Sequence, residues 1–367
     1  MKKIYFKGYY GFKNLGDDIF TVTAEWICNN IWKNRKPVFI GHSLPDVSNK
    51  TIKVEIKNGL LRRIIELIVC IFSRRIIYFG GSLFTGGGTS FKDLKYYLRK
   101  IPYLSNKTGT IGTSLGPFKN SNEFNQTRDL LNKFKFVSVR DYSSEKIGEE
   151  MQIDERLSFC FDNAILIKEV YPDLTKHRKR SDTDKIKLAI SLCRYESIKG
   201  GDIKDEHKRE ESIKSFLDNV LDKHRNIEEL VFIVFNGNPK YGDLEITKQF
   251  NDYFCEKVKT RIVNYTNNTK HMIEEMNNCD LVFGVRLHSG ILAYALEKPF
   301  MLVEYHAKCT EFLNTINHDY RYNVNDIDYN IENFEAILNV NKVPNIVRPD
   351  KFKNIMIKEL KKLEKSI

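Results

Sequence analysis

The sequence predicts an α/β protein made of two Rossmann-like, doubly wound domains that face a cleft. Three observations support this prediction. Short β-rich runs alternate with helical patterns almost from end to end, and such β-α-β series form parallel sheets. A length of 367 residues suits two domains better than one. Residues 171–185 are polar, mostly charged and without periodicity, which is typical of a linker between domains.

The predicted first domain covers residues 1–170. Its strand segments are rich in apolar, β-branched and aromatic residues, and they are KKIYFKG, KPVFIG, TIKVEIK, RRIIYFGG, TGTIGTSLG and FKFVSVRD. Helical patterns fall around residues 17–31, 59–72, 90–101, 122–133 and 143–151. Strands and helices therefore alternate, as they do in a doubly wound sheet.

The predicted second domain covers residues 186–345 and repeats the pattern. Its predicted strands are IKLAISL, ELVFIVF, TRIVNY, DLVFGVR and FMLVEY. Residues 346–367 are predicted to form a separate, basic, amphipathic C-terminal helix. The apolar face of that helix consists of Phe352, Met356, Leu360, Leu363 and Ile367.

Composition limits the possible function classes. Hydrophobic residues make up 41% and charged residues 29% of the chain, as in a soluble globular protein. The formal net charge of +11 points to an anionic partner, which could be a phosphorylated substrate, a membrane surface or a nucleic acid. The basic residues are spread widely and no nucleic-acid-binding module is recognisable, so no nucleic acid is expected among the partners.

Cysteine usage and hydropathy predict a cytoplasmic location. The seven cysteines are scattered and form no C-x-x-C pair, which argues against a disulfide framework or a structural zinc site. The N-terminus passes directly into a strand without an apolar signal core, and no stretch reaches the ~20 apolar residues needed to span a bilayer. The most apolar stretch, GLLRRIIELIVCIFSRR, is interrupted by Arg62, Arg63 and Glu66.

The segment CDLVFGVRLHSGILAYALEKPFMLVEYHAK is the most informative for chemistry. Its apolar strand ends at Arg286, and His288 follows at the start of a helix. The carboxyl ends of parallel strands form the crevice where open α/β sheets bind ligands. A guanidinium there can hold a carboxylate or phosphate through two hydrogen bonds, and an imidazole can transfer a proton near neutral pH. The alternative interpretation is a structural ion pair for Arg286 and a helix cap for His288.

Other strand ends carry glycine-rich turns or charged residues. The turn after the first strand contains Asn14, Gly16 and Asp17, where glycine lets the backbone approach a ligand and a helix N-terminus offers amides. Asp17 is either a helix cap or a base near a substrate hydroxyl. Gly81 closes the strand RRIIYFGG, and Arg140 ends FVSVRD as a second candidate anion clamp. A structural ion pair is the alternative for Arg140.

Seven motifs follow one another from Gly8 to Lys308. They are G-x-x-G-x-x-N-x-G-D-D, G-G, G-x-x-x-G-P, V-R-D-x-S, F-D-N-A, I-S-L-C-R and R-L-H-S-G-I-L-A-x-A…P…Y-x-x-K. Together they resemble the polysaccharide pyruvyl transferase family. The resemblance implies a GT-B-like fold and transfer of pyruvate from phosphoenolpyruvate to a sugar as a ketal, without a cofactor or metal. The sequence departs from the family pattern at Lys298, where a glycine is common before the proline.

The resemblance also implies residue roles. The residues implied for the donor are those of the R-x-H segment, the V-R-D arginine and the last lysine, namely Arg286, Leu287, His288, Ser289, Arg140 and Lys308. The glycine-rich turns add Asn14, Gly16 and Gly81, and Asn14 with Asp17 is assigned to the acceptor side. Phosphoenolpyruvate carries a carboxylate and a phosphate, so two or three fixed cations suit it. His288 is the candidate acid that protonates the methylene carbon, and Asp17 is the candidate base.

The acceptor is expected to be a sugar of a capsule or cell-wall polymer, or its lipid-linked precursor, which adds the inner membrane face as a candidate partner. Two features fit a membrane. One is a very apolar helix flanked by the pairs Arg62/Arg63 and Arg74/Arg75, and the other is residues 351–367, which hold six lysines and two glutamates beside an apolar stripe. Ordinary packed helices with solvated basic edges are the alternative. The alternative function is a GT-B-type glycosyltransferase with a nucleotide-sugar donor, whose diphosphate would contact Arg286 and His288.

Overall fold

The computed structural model describes residues 2–86, 88, 90, 91, 93–175, 185–339 and 346–367. The chain divides into two compact units. The first unit comprises Met1–Phe12, Asp17–Leu166 and Asp350–Ile367, and the second comprises Lys13–Gly16 and Ile167–Pro349. Each unit is built on one parallel sheet, so the predicted α/β class with two parallel-sheet domains is confirmed.

The strands alternate with helices through most of the described chain. The strands are β1 (Lys2–Lys7), β2 (Arg35–Gly41), β3 (Ile52–Glu55), β4 (Arg75–Phe79), β5 (Thr108–Thr113), β6 (Phe136–Val139), β7 (Leu157–Phe159), β8 (Ile186–Ser191), β9 (Ile227–Ile233), β10 (Lys259–Val263), β11 (Leu281–Gly284), β12 (Phe300–Val303) and β13 (Arg321–Tyr322). The helices are α1 (Leu15–Asn30), α2 (Gly59–Phe72), α3 (Leu94–Lys100), α4 (Pro102–Ser105), α5 (Ser121–Leu131), α6 (Tyr142–Glu150), α7 (Ile167–Val170), α8 (Glu196–Lys199), α9 (Ile203–Lys223), α10 (Leu244–Phe254), α11 (Thr269–Asn277), α12 (Leu287–Ala295), α13 (Ala307–Ile316), α14 (Ile327–Leu338) and α15 (Pro349–Glu364). Short 3₁₀ turns cover Asp154–Arg156, Asn163–Leu166 and Pro172–Thr175.

The first sheet has seven strands in the order β3-β2-β1-β4-β5-β6-β7, and all pairs are parallel. Its interior strand β1 is buried on both faces, since Ile4, Tyr5 and Phe6 are each almost fully inaccessible to solvent. A strand covered by helices on both faces needs this continuous apolar run rather than an alternating one.

The second sheet has six strands in the order β10-β9-β8-β11-β12-β13, again all parallel. Its two central strands are β8 and β11, and every residue of Leu281–Gly284 is buried. The short, apolar β11 ends where the chain turns directly into α12, so the residues between them lie at the carboxyl edge of the sheet. This is the edge on which the predicted chemistry depends.

The predicted strands are all present, but two strands were not predicted. The strands β7 and β13 lie at sheet edges and contain three and two residues, too few to show a pattern in sequence. Residues 176–184, most of the predicted linker, lie outside the described residues, as do 340–345 at the end of the predicted second domain. No helix among the described residues combines the length and hydropathy needed to cross a membrane.

The structure corrects the predicted boundaries at the C-terminal helix. The helix α15 is part of the first unit and not a separate element. Its apolar face is buried: Phe352 stacks on Phe161 with ring centroids 4.2 Å apart, and Met356 is fully inaccessible. The carbonyl of Leu360 accepts a hydrogen bond of 2.8 Å from the indole of Trp32. The apolar stripe read from the sequence therefore packs on the protein.

Candidate functional site

In each sheet the strand order reverses at one point. This switch point lies between β1 and β4 in the first sheet and between β8 and β11 in the second. At a switch point, successive helices pass to opposite faces of the sheet, which leaves a crevice outside the carboxyl ends of the two strands. The residues that follow these strands are therefore the best-placed candidates for binding and catalysis in each unit.

Arg286 lies between β11 and α12 and is held by a buried aspartate. Its Nε donates to Oδ2 of Asp243 at 3.0 Å, and its Nη2 also donates to Asp243. The side chain of Asp243 is fully buried, whereas that of Arg286 is 21% exposed. The Nη1 group makes no hydrogen bond with any residue that the structure describes. Arg286 is thus fixed along one edge of the guanidinium, and the other edge can bind a ligand.

The environment of Arg286 keeps its positive charge. Burial alone would lower the pKa of Arg286, but the neighbouring Cys193 and Asp243 raise that pKa above its ordinary value. Burial also raises the pKa of the Cys193 thiol to about 11, although Arg286 acts in the opposite direction. The thiol is therefore protonated at neutral pH, and Asp243 is the effective counter-ion.

His288 lies in the first turn of α12, and its imidazole packs against the backbone of Gly16. A Cβ atom built on Gly16 would overlap the imidazole, so only glycine leaves room for His288 in this position. Gly16 is brought there by Lys13–Gly16, whose backbone pairs with the chain that follows β9. The N–H of Leu15 donates to the carbonyl of Phe235 at 2.9 Å. The structure therefore brings the predicted Gly16 and His288 into contact within the second unit.

The N-terminal turn is divided between the two units, which corrects its assignment to the first domain as a whole. Asn14 forms an antiparallel bridge with Asn236, and its Oδ1 accepts the N–H of Gly16 at 3.3 Å. These hydrogen bonds place Asn14 and Gly16 in the second unit, while Asp17 belongs to the first. The acceptor role predicted for Asn14 stays a prediction.

The other predicted donor residues surround the same strand ends. Ser289 is buried, and its Oγ donates to the carbonyl of Arg286 at 2.5 Å, which fixes the turn that carries the guanidinium. Leu287 is the half-buried first residue of α12. Lys308 lies in the first turn of α13, and its N–H donates to Nδ1 of His306 at 3.1 Å. Because β12 neighbours β11, Lys308 supplies a second cation near this edge of the sheet.

Two charged residues of the second unit were missed from the sequence. Asp243 follows a glycine directly before α10, and Asp17 likewise follows a glycine in the first turn of α1, so this repeated Gly-Asp pattern could have identified Asp243. Arg209 lies inside α9, where its guanidinium bonds both oxygens of Glu196 at 2.8 and 2.6 Å. The same guanidinium lies 5.7 Å from the ring centroid of Tyr305. A charged residue within a long polar helix gives no comparable signal.

Arg140 is the predicted anion clamp of the first unit, and its side chain is 6% exposed. Its Nε donates to Oγ of Ser114 at 2.6 Å, its Nη1 to Oδ2 of Asp162 at 2.9 Å, and its Nη2 to Oγ of Ser82 at 3.1 Å. Asp141 lies farther away, at 3.6 Å. Every guanidinium nitrogen thus has a protein partner, which favours the ion-pair interpretation. The donor-binding role of Arg140 stays a prediction.

Asp17 and Gly81 lie close together in the first unit. A Cβ atom built on Gly81 would lie 4.0 Å from Oδ1 of Asp17, and the φ of +74° at Gly81 is a conformation that favours glycine. Burial raises the pKa of Tyr9 and of Tyr10, and the negative charge of Asp17 raises both pKa values further. Asp17 therefore lies within electrostatic reach of two phenol groups.

A cavity of about 250 Å³ opens at the carboxyl ends of β1, β2 and β4. Four basic, two acidic and three phenolic side chains contribute to its lining, namely Lys7, Arg62, Arg63, Lys95, Glu66, Asp93, Tyr9, Tyr10 and Tyr78. Glu66 is buried and accepts hydrogen bonds from Tyr5 at 2.6 Å and from Arg63 at 2.9 Å. Burial alone would raise the pKa of Glu66, but Lys7, Tyr5 and Arg63 lower that pKa below its ordinary value. The cavity has a mixed polar and apolar lining, with more basic than acidic side chains.

Solved structures with the same fold include enzymes that act on sugars. The UDP-GlcNAc 2-epimerase from Methanocaldococcus jannaschii has a TM-score of 0.62 at 13% identity, over 100% of this chain and 98% of that chain. The same enzyme in complex with UDP-GlcNAc and UDP has a TM-score of 0.59 at 12% identity, over 100% and 99% of the two chains. A trehalose-6-phosphate synthase has a TM-score of 0.54 at 9% identity, over 100% and 98%. These neighbours are GT-B fold proteins and confirm the predicted GT-B-like fold.

Sequence comparison identifies the family. No curated protein sequence matches this chain significantly. The family model for polysaccharide pyruvyl transferase matches residues 14–307, a span that includes Asn14, Arg140, Arg286 and His288 and ends just before Lys308. Because this match covers most of the chain, the protein belongs to the polysaccharide pyruvyl transferase family.

Proposed function

We propose that this protein transfers the pyruvyl group of phosphoenolpyruvate to a hexose of a cell-surface polysaccharide or its lipid-linked precursor, forming a cyclic ketal and releasing phosphate. Family membership supports the transfer of a pyruvyl group. The observation that carries the donor assignment is the geometry of Arg286. The buried Asp243 holds one edge of its guanidinium, and the other edge is available for a carboxylate or phosphate.

Donor binding would use charges at two neighbouring strand ends. Phosphoenolpyruvate has two anionic groups, and Arg286 after β11 and Lys308 after β12 supply a cation for each. The N-terminus of α12 lies beside Arg286 and favours negative charge through its backbone N–H groups. Fixed cations also stabilise the charge that develops on phosphate as its bond to carbon breaks.

In the proposed reaction, His288 delivers a proton to the methylene carbon of phosphoenolpyruvate, which becomes a methyl group. The adjacent carbon acquires oxocarbenium character, and one sugar hydroxyl bonds to it. The bond from that carbon to the phosphate oxygen then breaks, and a second hydroxyl closes the ketal ring. The two hydroxyl protons are balanced by the one added to carbon and the one that leaves with phosphate. General acid catalysis of this kind is worth ~10²- to 10⁴-fold.

The cavity of the first unit is the proposed acceptor site. Its phenol, carboxylate and ammonium groups are suited to hydrogen bonds with sugar hydroxyls. Tyr9 and Tyr10 line it, and the nearby charge of Asp17 raises the pKa of both phenols in addition to the effect of burial. Asp17 is therefore the proposed base for an acceptor hydroxyl.

The second candidate is a glycosyltransferase that uses a nucleotide-sugar donor. It is favoured by the structural neighbour that is in complex with UDP-GlcNAc and UDP. In this case the free edge of Arg286 would contact the diphosphate of the donor.

Thermal unfolding with each ligand separates the two candidates. A ligand at 100 times its Kd stabilises the folded state by about 2.7 kcal/mol. Phosphoenolpyruvate is expected to raise the Tm, whereas UDP leaves it unchanged. Turnover is then measured with phosphoenolpyruvate and a panel of lipid-linked and nitrophenyl sugars, with phosphate release and a product heavier by one pyruvyl group as readouts. Stabilisation by UDP but not by phosphoenolpyruvate would overturn the proposal.

A further inference from the structure

The outer face of α2 is apolar and open to solvent. Six large hydrophobic side chains of this helix are between 47% and 75% exposed, namely Leu60, Leu61, Ile64, Ile68, Ile71 and Phe72. Leu60, Ile64 and Ile68 recur every four residues and therefore share one face. Scattered exposed apolar residues are ordinary on soluble proteins, but a contiguous face of this kind marks a surface that binds something.

The exposed face is not the result of a poorly packed helix. Asn58 caps the first turn, and its Oδ1 accepts the N–H groups of Leu60 and Leu61 at 3.0 Å. On the inner face, Cys70 is fully buried in the core of the first unit. Glu66 is buried beside it and bonds the hydroxyl of Tyr5 at 2.6 Å. The helix is therefore docked on the sheet by one side and offers its other side to a partner.

The charges around α2 select the kind of partner. Residues 57–75 contain five basic residues and one acidic residue, Glu66, which is buried and paired with Lys7 and Arg63. Lys57 and Arg74 are exposed at the two ends of the helix. An apolar face with cations at its ends complements an anionic lipid surface, where the apolar side chains enter the headgroup boundary and the cations meet lipid phosphates.

A tyrosine extends this surface beyond the C-terminal end of the helix. Lys107 donates to the carbonyls of Ile71 at 2.8 Å and of Ser73 at 3.1 Å, and so closes the last turn of α2. The ammonium of Lys107 also lies 4.3 Å from the ring centroid of Tyr103, which is 63% exposed. Tyrosine suits the boundary between water and lipid because its ring is apolar and its hydroxyl is polar.

A second copy of the chain fits the surface less well than a membrane does. In a two-fold symmetric contact the same surface meets itself, so the cationic ends of two α2 helices would be brought towards each other. Like charges placed together at an interface oppose association. An anionic membrane meets the same cations with opposite charge.

The inner edge of α2 also forms part of the proposed acceptor cavity. Arg62, Arg63 and Glu66 of this helix line the cavity, together with Lys7 of β1 and Lys95 of α3. A membrane bound to the outer face of α2 would therefore lie close to the cavity wall. A sugar carried on a lipid could reach the cavity without leaving the membrane.

We propose that the exposed face of α2, with the cations at its ends, docks the protein on an anionic lipid bilayer. The acceptor is then a lipid-linked sugar presented at that bilayer, a step that rests on the proposed function. The packed interpretation holds for α15, whose apolar face is buried, and not for α2. Docking itself requires no knowledge of the donor or the acceptor, so it can be measured separately from activity.

The test is flotation of the full-length protein with vesicles of phosphatidylcholine alone and of phosphatidylcholine mixed with phosphatidylglycerol. The wild type is expected to float with the mixed vesicles. Its binding to vesicles of phosphatidylcholine alone should be at least about tenfold weaker, because each cation near an anionic surface strengthens binding about fivefold. The Ile64→Asp/Ile68→Asp double variant is expected to lose binding to the mixed vesicles by at least about tenfold, because burial of each isoleucine is lost. Both positions are exposed, so the Tm should not fall.

The matched control is Ile203→Asp, which changes an equally exposed isoleucine at the start of α9 in the second unit. It should bind vesicles like the wild type. A Lys57→Gln/Arg74→Gln variant tests the charges, and about fivefold weaker binding is expected for each cation removed. Its binding should also depend less on salt than that of the wild type.

Two results would overturn the docking proposal. One is a folded wild type that fails to float with the phosphatidylglycerol vesicles at low salt. The other is a wild-type dimer in sedimentation that the double variant converts to a monomer, since this would assign the α2 face to a second copy. Vesicle binding without turnover on any acceptor would contradict the proposed function and leave docking intact. Turnover on a soluble nitrophenyl sugar without vesicle binding would support the proposed function and contradict docking.

Discussion

Arg140 and Arg286 are both arginines at the carboxyl end of a parallel strand, one in each unit. The side chain of Arg140 is 6% exposed, and each of its guanidinium nitrogens donates to a protein group. The side chain of Arg286 is 21% exposed and uses one edge of the guanidinium on Asp243. The same residue type at the carboxyl end of a parallel strand in each sheet thus meets two different environments.

The difference shows that the partners of a charged residue decide its role, and its place in the fold alone does not. Arg140 joins the ends of three loops through Ser82, Ser114 and Asp162, so its removal should affect the fold first. Arg286 is oriented by one buried carboxylate and keeps donors for a ligand, so its change should affect substrate binding first.

The largest effect is expected for His288→Gln, next to Arg286. Glutamine can accept and donate hydrogen bonds, but it cannot deliver a proton to carbon at neutral pH, so kcat should fall ~10²- to 10⁴-fold. Stabilisation by phosphoenolpyruvate in thermal unfolding should persist, because Arg286 is untouched. Phosphate release under saturating substrate measures the change.

The control for this variant is His271→Gln, which removes an exposed histidine from α11 in the same unit. It should leave kcat and Tm unchanged. Near-normal turnover by a folded His288→Gln protein would exclude His288 as the acid. The proposed role of Arg286 in donor binding would then still have to be tested by itself.

The second prediction concerns the fold. In Arg140→Lys the ammonium can keep one partner, and the bonds to the others are lost. Hydrogen bonds to charged groups are worth ~1.5–3 kcal/mol each, so the free energy of unfolding should fall by about 3 kcal/mol. Urea unfolding followed by circular dichroism measures this loss.

Arg128→Lys is the matched control in the first unit, since Arg128 and its partner Asp129 are both well exposed. Its free energy of unfolding should change by less than about 0.5 kcal/mol. An Arg140→Lys protein that is as stable as the wild type but needs far more phosphoenolpyruvate would show that Arg140 binds the donor after all.

The sequence was sufficient for the architecture because the pattern of apolar runs is local. Each central strand is covered on both faces and therefore reads as a continuous apolar segment, as in Leu281–Gly284. The short edge strands β7 and β13 could not be found, since two or three residues show no period. The burial of α15 could not be predicted from the sequence either, because the sequence pattern of an apolar stripe does not depend on whether protein or solvent covers it.

Candidate site residues could be selected from the sequence where a single residue carries the signal, but the partners that orient them could not. Arg286 and His288 were identified because they end an apolar strand. The hydrogen bonds between Arg286 and Asp243 join two segments that are more than forty residues apart in sequence. The contact between Gly16 and His288 joins segments still farther apart, and the full set of partners around Arg140 likewise comes from three distant loops.

The third prediction is that Gly16→Ala impairs catalysis without unfolding the protein. The added methyl group would overlap the imidazole of His288, which must then shift. A displacement of about 1 Å from the reactive geometry can cost about 10²-fold in rate, and kcat should fall by about this factor. Gly59→Ala is the control, since a Cβ atom there meets no atom of the described residues within 4 Å and the position likewise lies in the first turn of a helix. Equal kcat values for the two variants would show that His288 can move freely.

The smallest effect is expected for Arg286→Lys, and its character matters more than its size. Lysine retains a positive charge beside Asp243, so the fold should keep most of its stability, but it cannot hold Asp243 and an anion through two fixed edges. The KM for phosphoenolpyruvate should therefore rise about tenfold. This factor corresponds to a loss of about 1.4 kcal/mol of binding free energy, which is about the contribution of one hydrogen bond to a charged group. Arg194→Lys is the control, because Arg194 is 23% exposed and pairs with Glu210 and Glu245. If Arg286→Lys instead lowers the Tm as Arg140→Lys does and leaves the KM unchanged, both arginines are structural, and the donor must bind elsewhere.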